Sequence, residues 1–168
     1  TDAEGLIFSR YCAEYVLRTP KNHRLLIMLN HFKSKGYGPV AESAAKRKRQ
    51  AARVEMLYQR RLAEGFNFIA VMGDFNDTPN SAALEPLLAQ AVGLTDVMAH
   101  AAFTPDGRPG TFANGTASQK IDFLLLSPKL ATRVKGGGIE RRGVWGGVNV
   151  CIPSSTSPSR SGRTRAAR

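Results

Sequence analysis

The stretch VMGDFNDTP, residues 71–79, runs an apolar segment directly into Asp74, Asn76 and Asp77. Asn30 and His31 close the apolar run RLLIML in the same way, and Asp122 lies just inside KIDFLLL. Carboxylate, amide and imidazole groups suit hydrolysis of a phosphodiester. That reaction needs a deprotonated water, a divalent cation to offset charge on the phosphoryl oxygens, and polar donors for the transition state. An Asp at the end of a rigid strand can be the base or a metal ligand, and an Asn two residues on points to the same side of an extended chain. Oxygen ligands select Mg2+ or a similar hard ion over zinc. The imidazole of His31 can bind a phosphoryl oxygen or exchange a proton near neutral pH. A plainer alternative stands beside each reading. Asn-Asp-Thr-Pro is turn chemistry, Asp77 reads as a turn cap rather than a ligand, and Asp122 can be held only to bond backbone amides. His23, in a turn, and His100, in an Ala-rich stretch, carry no motif and read as structural.

These groups need elements to bring them together. RYCAEYVL, RTPKNH and RLLIMLN, spanning residues 10–30, read as strand, turn and strand, a hairpin. From Val40 to Glu64 the period becomes helical, with Ala44, Ala51, Val54, Leu57, Tyr58 and Leu62 near one stripe and Gly65 suited to the stop. FNFIAVMG then reads as a central strand covered on both faces, and strand, helix, strand in this order indicates a layered α/β sheet. AALEPLLAQAVG, ending at Gly93, has a helical pattern that Pro86 must kink or start late. After a Gly/Pro-rich loop from Thr104 to Ser118, KIDFLLLS is another buried strand, stopped by Pro128. With the three apolar strands adjacent, their polar ends converge on one edge of the sheet, where ligands gather in such folds.

The chain has 168 residues, enough for one domain, and its 42% hydrophobic content can form a core. No apolar run approaches the ~20 residues that span a bilayer, and no leader of signal-peptide type is visible. Two cysteines, Cys12 and Cys151, are too few for a disulfide framework or a thiolate metal site. The net charge is +11, so polyanions, above all DNA or RNA, are the expected partners. No obligate protein partner is evident. Basic residues concentrate from Lys46 to Arg61, which reads as the solvated face of the helix. A domain is expected over residues 1–147. Residues 148–168, rich in Ser, Pro and Arg, have the composition of a disordered tail. Trp145 reads as packing.

NHFKSKG, GDFND followed by Pro, and KIDFLLLS, in this order and at these separations, resemble the endonuclease/exonuclease/phosphatase superfamily, whose fold is that of pancreatic deoxyribonuclease. The resemblance covers roughly residues 10–146 and is closest to secreted bacterial nucleases. It implies a four-layered α/β sandwich, here partial, and cleavage of phosphate esters with Mg2+ (or Mn2+ or Ca2+). It places His31 at the first active-site histidine, Asp74 and Asn76 at the catalytic Asp-x-Asn pair that also meets the metal, and Asp122 at the carboxylate of the later strand. Asn30, Lys33 and Lys35 are then candidates for the substrate phosphates. Two parts of the family pattern are missing: an initial half with Asn and then Glu, the main metal ligand, and a last strand with Ser-Asp-His. The expectation is an incomplete copy whose reading frame is lost near Gly147, feeble or inactive as an enzyme. The rival is a catalytically silent remnant that binds nucleic acid, and a third reading within the family is a phospholipid or sugar-phosphate esterase.

Overall fold

In the computed structural model the described residues are 5–8 and 12–141. Cys151, Trp145 and the basic tail expected from residue 148 lie outside them. The chain opens with the hairpin, β1 (Ala13–Arg18) and β2 (Arg24–His31), paired antiparallel with Arg18 opposite Arg24. The turn between them uses Asn22 at φ 60°, a left-handed conformation that Asn tolerates.

The long helix α1 (Val40–Ala63) follows. Glu42 lies in its first turn and Arg60 and Arg61 in its last, signs that complement the helix dipole. Gly65, at φ 85°, takes the left-handed stop. β3 (Phe68–Asp74) returns parallel to β2, so α1 is the crossover of a β-α-β unit. The segment after Asn80 is shorter than its pattern suggests. α2 covers only Glu85–Leu88 and begins where Pro86 can occupy the first turn, and a single 3₁₀ turn, Gln90–Val92, completes it.

The two-residue strand β4 (Thr95–Asp96) and β5 (Asp122–Leu126) add antiparallel to give the order β1-β2-β3-β5-β4. A last short helix, α3 (Pro128–Ala131), follows β5. The fold is therefore α/β, a mixed five-stranded sheet with helices. Alternation along β2 sends Leu26, Met28 and Asn30 to one face and Leu25, Ile27, Leu29 and His31 to the other. The first face joins Ala51, Val54 and Tyr58 of α1, Ile69 and Val71 of β3, and Phe123 and Leu125 of β5 in the core. The second face has no helix layer of this kind, so one side of the expected sandwich is what the described residues form.

One close approach sets up the strand ends. Gly73 has φ 131°, and a Cβ there would collide with the Asn30 carbonyl. Only glycine lets β2 and β3 run this close together one residue before Asp74.

Candidate active site

His31, Asp74 and Asp122 form one row across three strands. His31 is the register partner of Asp74 between β2 and β3, and Asp74 is the partner of Asp122 between β3 and β5. Paired residues share a face, with Cβ atoms roughly 5 Å apart. The three side chains are thus neighbours although 91 positions separate the first from the last in sequence, from 31 to 122. His31 Nε2 lies 3.8 Å from Asp74 Oδ2.

Asn76 reaches the row by a route that strand alternation does not describe. β3 ends at Asp74, and Asn76 has φ 52°. Its backbone N–H donates to Asp74 Oδ1 at 2.8 Å, an Asx turn that folds the chain back over the carboxylate. Its side-chain Nδ2 donates to the Phe32 carbonyl at 3.0 Å. Between them Phe75 points into the core, stacked between Phe32 and Phe123. The turn chemistry and the site chemistry are both present in these residues.

Burial holds the Asp74 carboxyl above its ordinary value; the Asn76 N–H pulls it down, the charge of Asp122 pushes it up, and His31 pulls it down. Asp122 itself is exposed and is held through its backbone. Its N–H donates to Thr111 Oγ1 at 3.0 Å, and its carbonyl accepts from Lys120 Nζ at 2.7 Å. Lys120 is buried against Asp96, 3.0 Å away, and over the ring of Phe123. Thr111 lies in the Gly/Pro-rich loop, and nothing in its sequence surroundings marks it.

The remaining candidates stand apart from the row. Asn30 is buried on the α1 side of the sheet, its Nδ2 donating to the Met28 carbonyl at 3.0 Å; being adjacent to His31 in a strand, it faces the other way. Lys33 Nζ donates to the Tyr37 and Ser34 carbonyls, at 2.5 and 3.3 Å. Lys35 Nζ lies 2.6 Å from Asp77 Oδ1. Asp77 does cap the turn, accepting from the Thr78 N–H at 3.0 Å, but it is also buried against Arg47, 2.9 Å away. Burial alone would raise the Asp77 carboxyl; the bonds from Lys35, Thr78, Ser81 and Arg47 outweigh it and hold the group below the usual range. Arg47 therefore departs from the expectation of a solvated basic face. It occupies a position of the apolar stripe itself, three residues after Ala44 and four before Ala51, and a charge at such a position was the available signal.

Among the described residues no group of three or more His, Cys, Asp and Glu could hold a metal ion. The oxygen-bearing side chains at the row are the carboxylates of Asp74 and Asp122, with the amide of Asn76 on the adjoining turn. These are hard oxygen donors of the kind that suit a divalent cation. No helix among the described residues is long and apolar enough to cross a membrane.

A family model described as "Endonuclease/Exonuclease/phosphatase family" matches residues 3–157. Among solved structures, the chain is similar to the mannosyl-6-phosphatase of Bacteroides thetaiotaomicron VPI-5482, at 20% identity and TM-score 0.50, over 64% of this chain and 38% of that one. It is also similar to sphingomyelinase C from Streptomyces griseocarneus, at 20% identity and TM-score 0.49, over 69% of this chain and 41% of that one. An endonuclease/exonuclease/phosphatase family protein from Bacteroides thetaiotaomicron matches at 20% identity and TM-score 0.49, over 65% and 37%. No curated protein matches the chain. The chain thus covers less than half the length of each of these structures.

Proposed function

The chain belongs to the endonuclease/exonuclease/phosphatase family, whose members are hydrolases that generally use a divalent metal, and on that premise we propose that it carries part of a nuclease site. The observation that supports this reading is the row of His31, Asp74 and Asp122 on adjacent strands. Asp74 is the proton acceptor for the attacking water. A carboxyl held above its ordinary value lies closer to working pH, where a general base is more effective. His31, at the rim beside Asp74, offers an N–H to a phosphoryl oxygen. The Asn76 amide, one N–H of which is committed to Phe32, presents the other to the phosphate. Asp74 and Asn76, with Asp122 beside them, would hold the cation. When bound, such an ion offsets phosphoryl charge and makes a coordinated water more acidic.

Nucleic acid is the substrate class favoured by the +11 charge. Lys33 and Lys35 remain candidates for phosphate contact, although both side chains have partners within the protein. With the family's Glu and Ser-Asp-His absent from the sequence, activity of residues 1–168 is expected to be weak, since groups that act as a unit lose most of their effect together.

The test is incubation of the purified chain with Mg2+ and plasmid DNA or RNA, with phospholipid and sugar-phosphate substrates in parallel. Chelator-sensitive cleavage of nucleic acid that falls by at least ~10²-fold in Asp74→Ala is expected. Salt-sensitive binding without cleavage would replace this reading with that of a silent binding remnant. Turnover of only the lipid or the sugar phosphate would move the substrate class.

A further inference from the structure

Two polar side chains on the apolar stripe of α1 are almost fully buried. Arg47 keeps 2% of its surface and Gln50 none. They stand three residues apart, on one face of the helix. Both address a single unit of backbone two residues beyond His31. Gln50 Oε1 accepts from the Lys33 N–H at 2.8 Å, and Arg47 Nη1 donates to the Lys33 carbonyl at 3.1 Å. The preceding residue is held from the other side. The Phe32 N–H donates to the Asp74 carbonyl at 2.9 Å, and the Phe32 carbonyl accepts from Asn76 Nδ2. All the backbone polar groups of residues 32 and 33 are therefore bonded, each to a different residue. Arg47 extends the connection, since its Nε also donates to Asp77, which follows Asn76.

The ion pair with Asp77 does not by itself account for this arrangement. A buried ion pair is a weak source of stability, and well-packed apolar replacements are often neutral or better. An apolar side chain at 47 or 50 would continue the stripe but leave the Lys33 N–H and carbonyl without their partners. The two side chains tie the segment leaving His31 to α1 and to Asp77 beside the loop carrying Asn76, and Gln50 Nε2 also donates to the Ile7 carbonyl at 3.1 Å. Resting on the nuclease reading above, we propose that Arg47 and Gln50 are positioning residues: from α1 they set the distance between His31 and the Asp74–Asn76 turn without touching the substrate.

The experiment compares the full chain with Arg47→Met, Gln50→Met and Arg47→Lys. Folding is checked by circular dichroism. Geometry is read from NMR signals of the His31 ring, the Asn76 side-chain amide and the Lys33 amide, with the Leu125 amide as a distant control. Turnover of bis(p-nitrophenyl) phosphate with Mg2+ gives kcat and KM. Expected in both Met variants are displaced His31 and Asn76 signals with Leu125 unchanged, and a kcat lower by about 10- to 100-fold with KM nearly constant, as small misplacements produce. Gln50→Met should also speed Lys33 amide exchange at least about tenfold, because its acceptor is gone. Arg47→Lys, which keeps a charge facing Asp77 but not the forked reach to Lys33, should recover part of kcat. It also answers the same question if Arg47→Met does not fold. Folded variants with wild-type His31 and Asn76 signals would overturn the proposal. A wild-type chain that turns over no phosphodiester would count against the nuclease reading, and the NMR signals would still decide whether the two side chains position the site.

Discussion

The two faces of the sheet are built from the same kinds of residue and lie in different surroundings. On one, Met28 and Val71 are fully enclosed beneath α1; on the other, Tyr15, Leu17 and Leu29 keep 54%, 49% and 45% of their surface. Residues 25–29 of β2 are apolar at every position, the pattern of a strand covered on both sides. Only one cover is present among the described residues. The contrast is sharpest at β2: on the edge strand β1, Val16 on the α1 side is as exposed, at 51%, as Tyr15 and Leu17 are, and nearer β5 Ala70 and Leu126 are buried on the open face. The row of His31, Asp74 and Asp122 ends this more open face. The packing that stabilises the molecule and the groups that can do chemistry therefore lie on opposite sides of one sheet, and substitutions should separate the two.

The largest expected effect tests the covered side. Phe75 is fully buried, with its ring centroid 4.7 Å from that of Phe32 and 4.9 Å from that of Phe123. Phe75→Ala should cost about 3–5 kcal/mol in urea unfolding. A loss below about 1 kcal/mol would mean that this side contributes far less than its burial suggests.

A smaller effect contrasts two carboxyls three residues apart. Asp77, bonded on the α1 side, is held below its ordinary value, whereas Asp74, in the row, is held above it. The signs follow by linkage. The Asp77 contribution is present above the unfolded carboxylate value, about 4, and is lost as pH falls through the lower folded one. For Asp74 the folded state keeps its proton longer, so stability declines as pH rises from the unfolded value through the folded one. Melting temperatures measured between acid and neutral pH should show Asp77→Asn flattening the acid-side loss and Asp74→Asn removing the opposite drift. Identical profiles for the two variants would erase the distinction.

The smallest effect on stability tests the open side. Leu29→Ser should change unfolding free energy by no more than about 0.5 kcal/mol, while lowering concentration-dependent light scattering, since exposed apolar patches promote association. A cost of about 2 kcal/mol or more would show that Leu29 is packed in solution and that the two faces are alike.

Much of this was legible in the residues. Gly65, the helical stripe from Ala44 to Leu62 and the apolar runs ending in Asn30-His31 and Asp74 announce a β-α-β unit with polar groups at its strand ends. Asn-Asp-Thr-Pro also announced a turn, and the structure has one there, with Asp77 accepting from the Thr78 N–H and the Asn76 N–H folded onto Asp74. Arg47 was concealed among six other basic residues between Lys46 and Arg61, because a count of charge does not register the face on which a charge falls. Gln50 and Thr111 had no motif at all.

The sequence by itself determined which segments are extended or helical and which chemical groups stand at their ends, because period, glycine placement and turn residues act over a few positions. Only the tertiary structure decided that Asp122 pairs with Asp74 and that Arg47 is buried against Asp77. Those outcomes depend on strand register and on helix placement over the sheet, set by contacts between residues far apart along the chain, which no local pattern encodes.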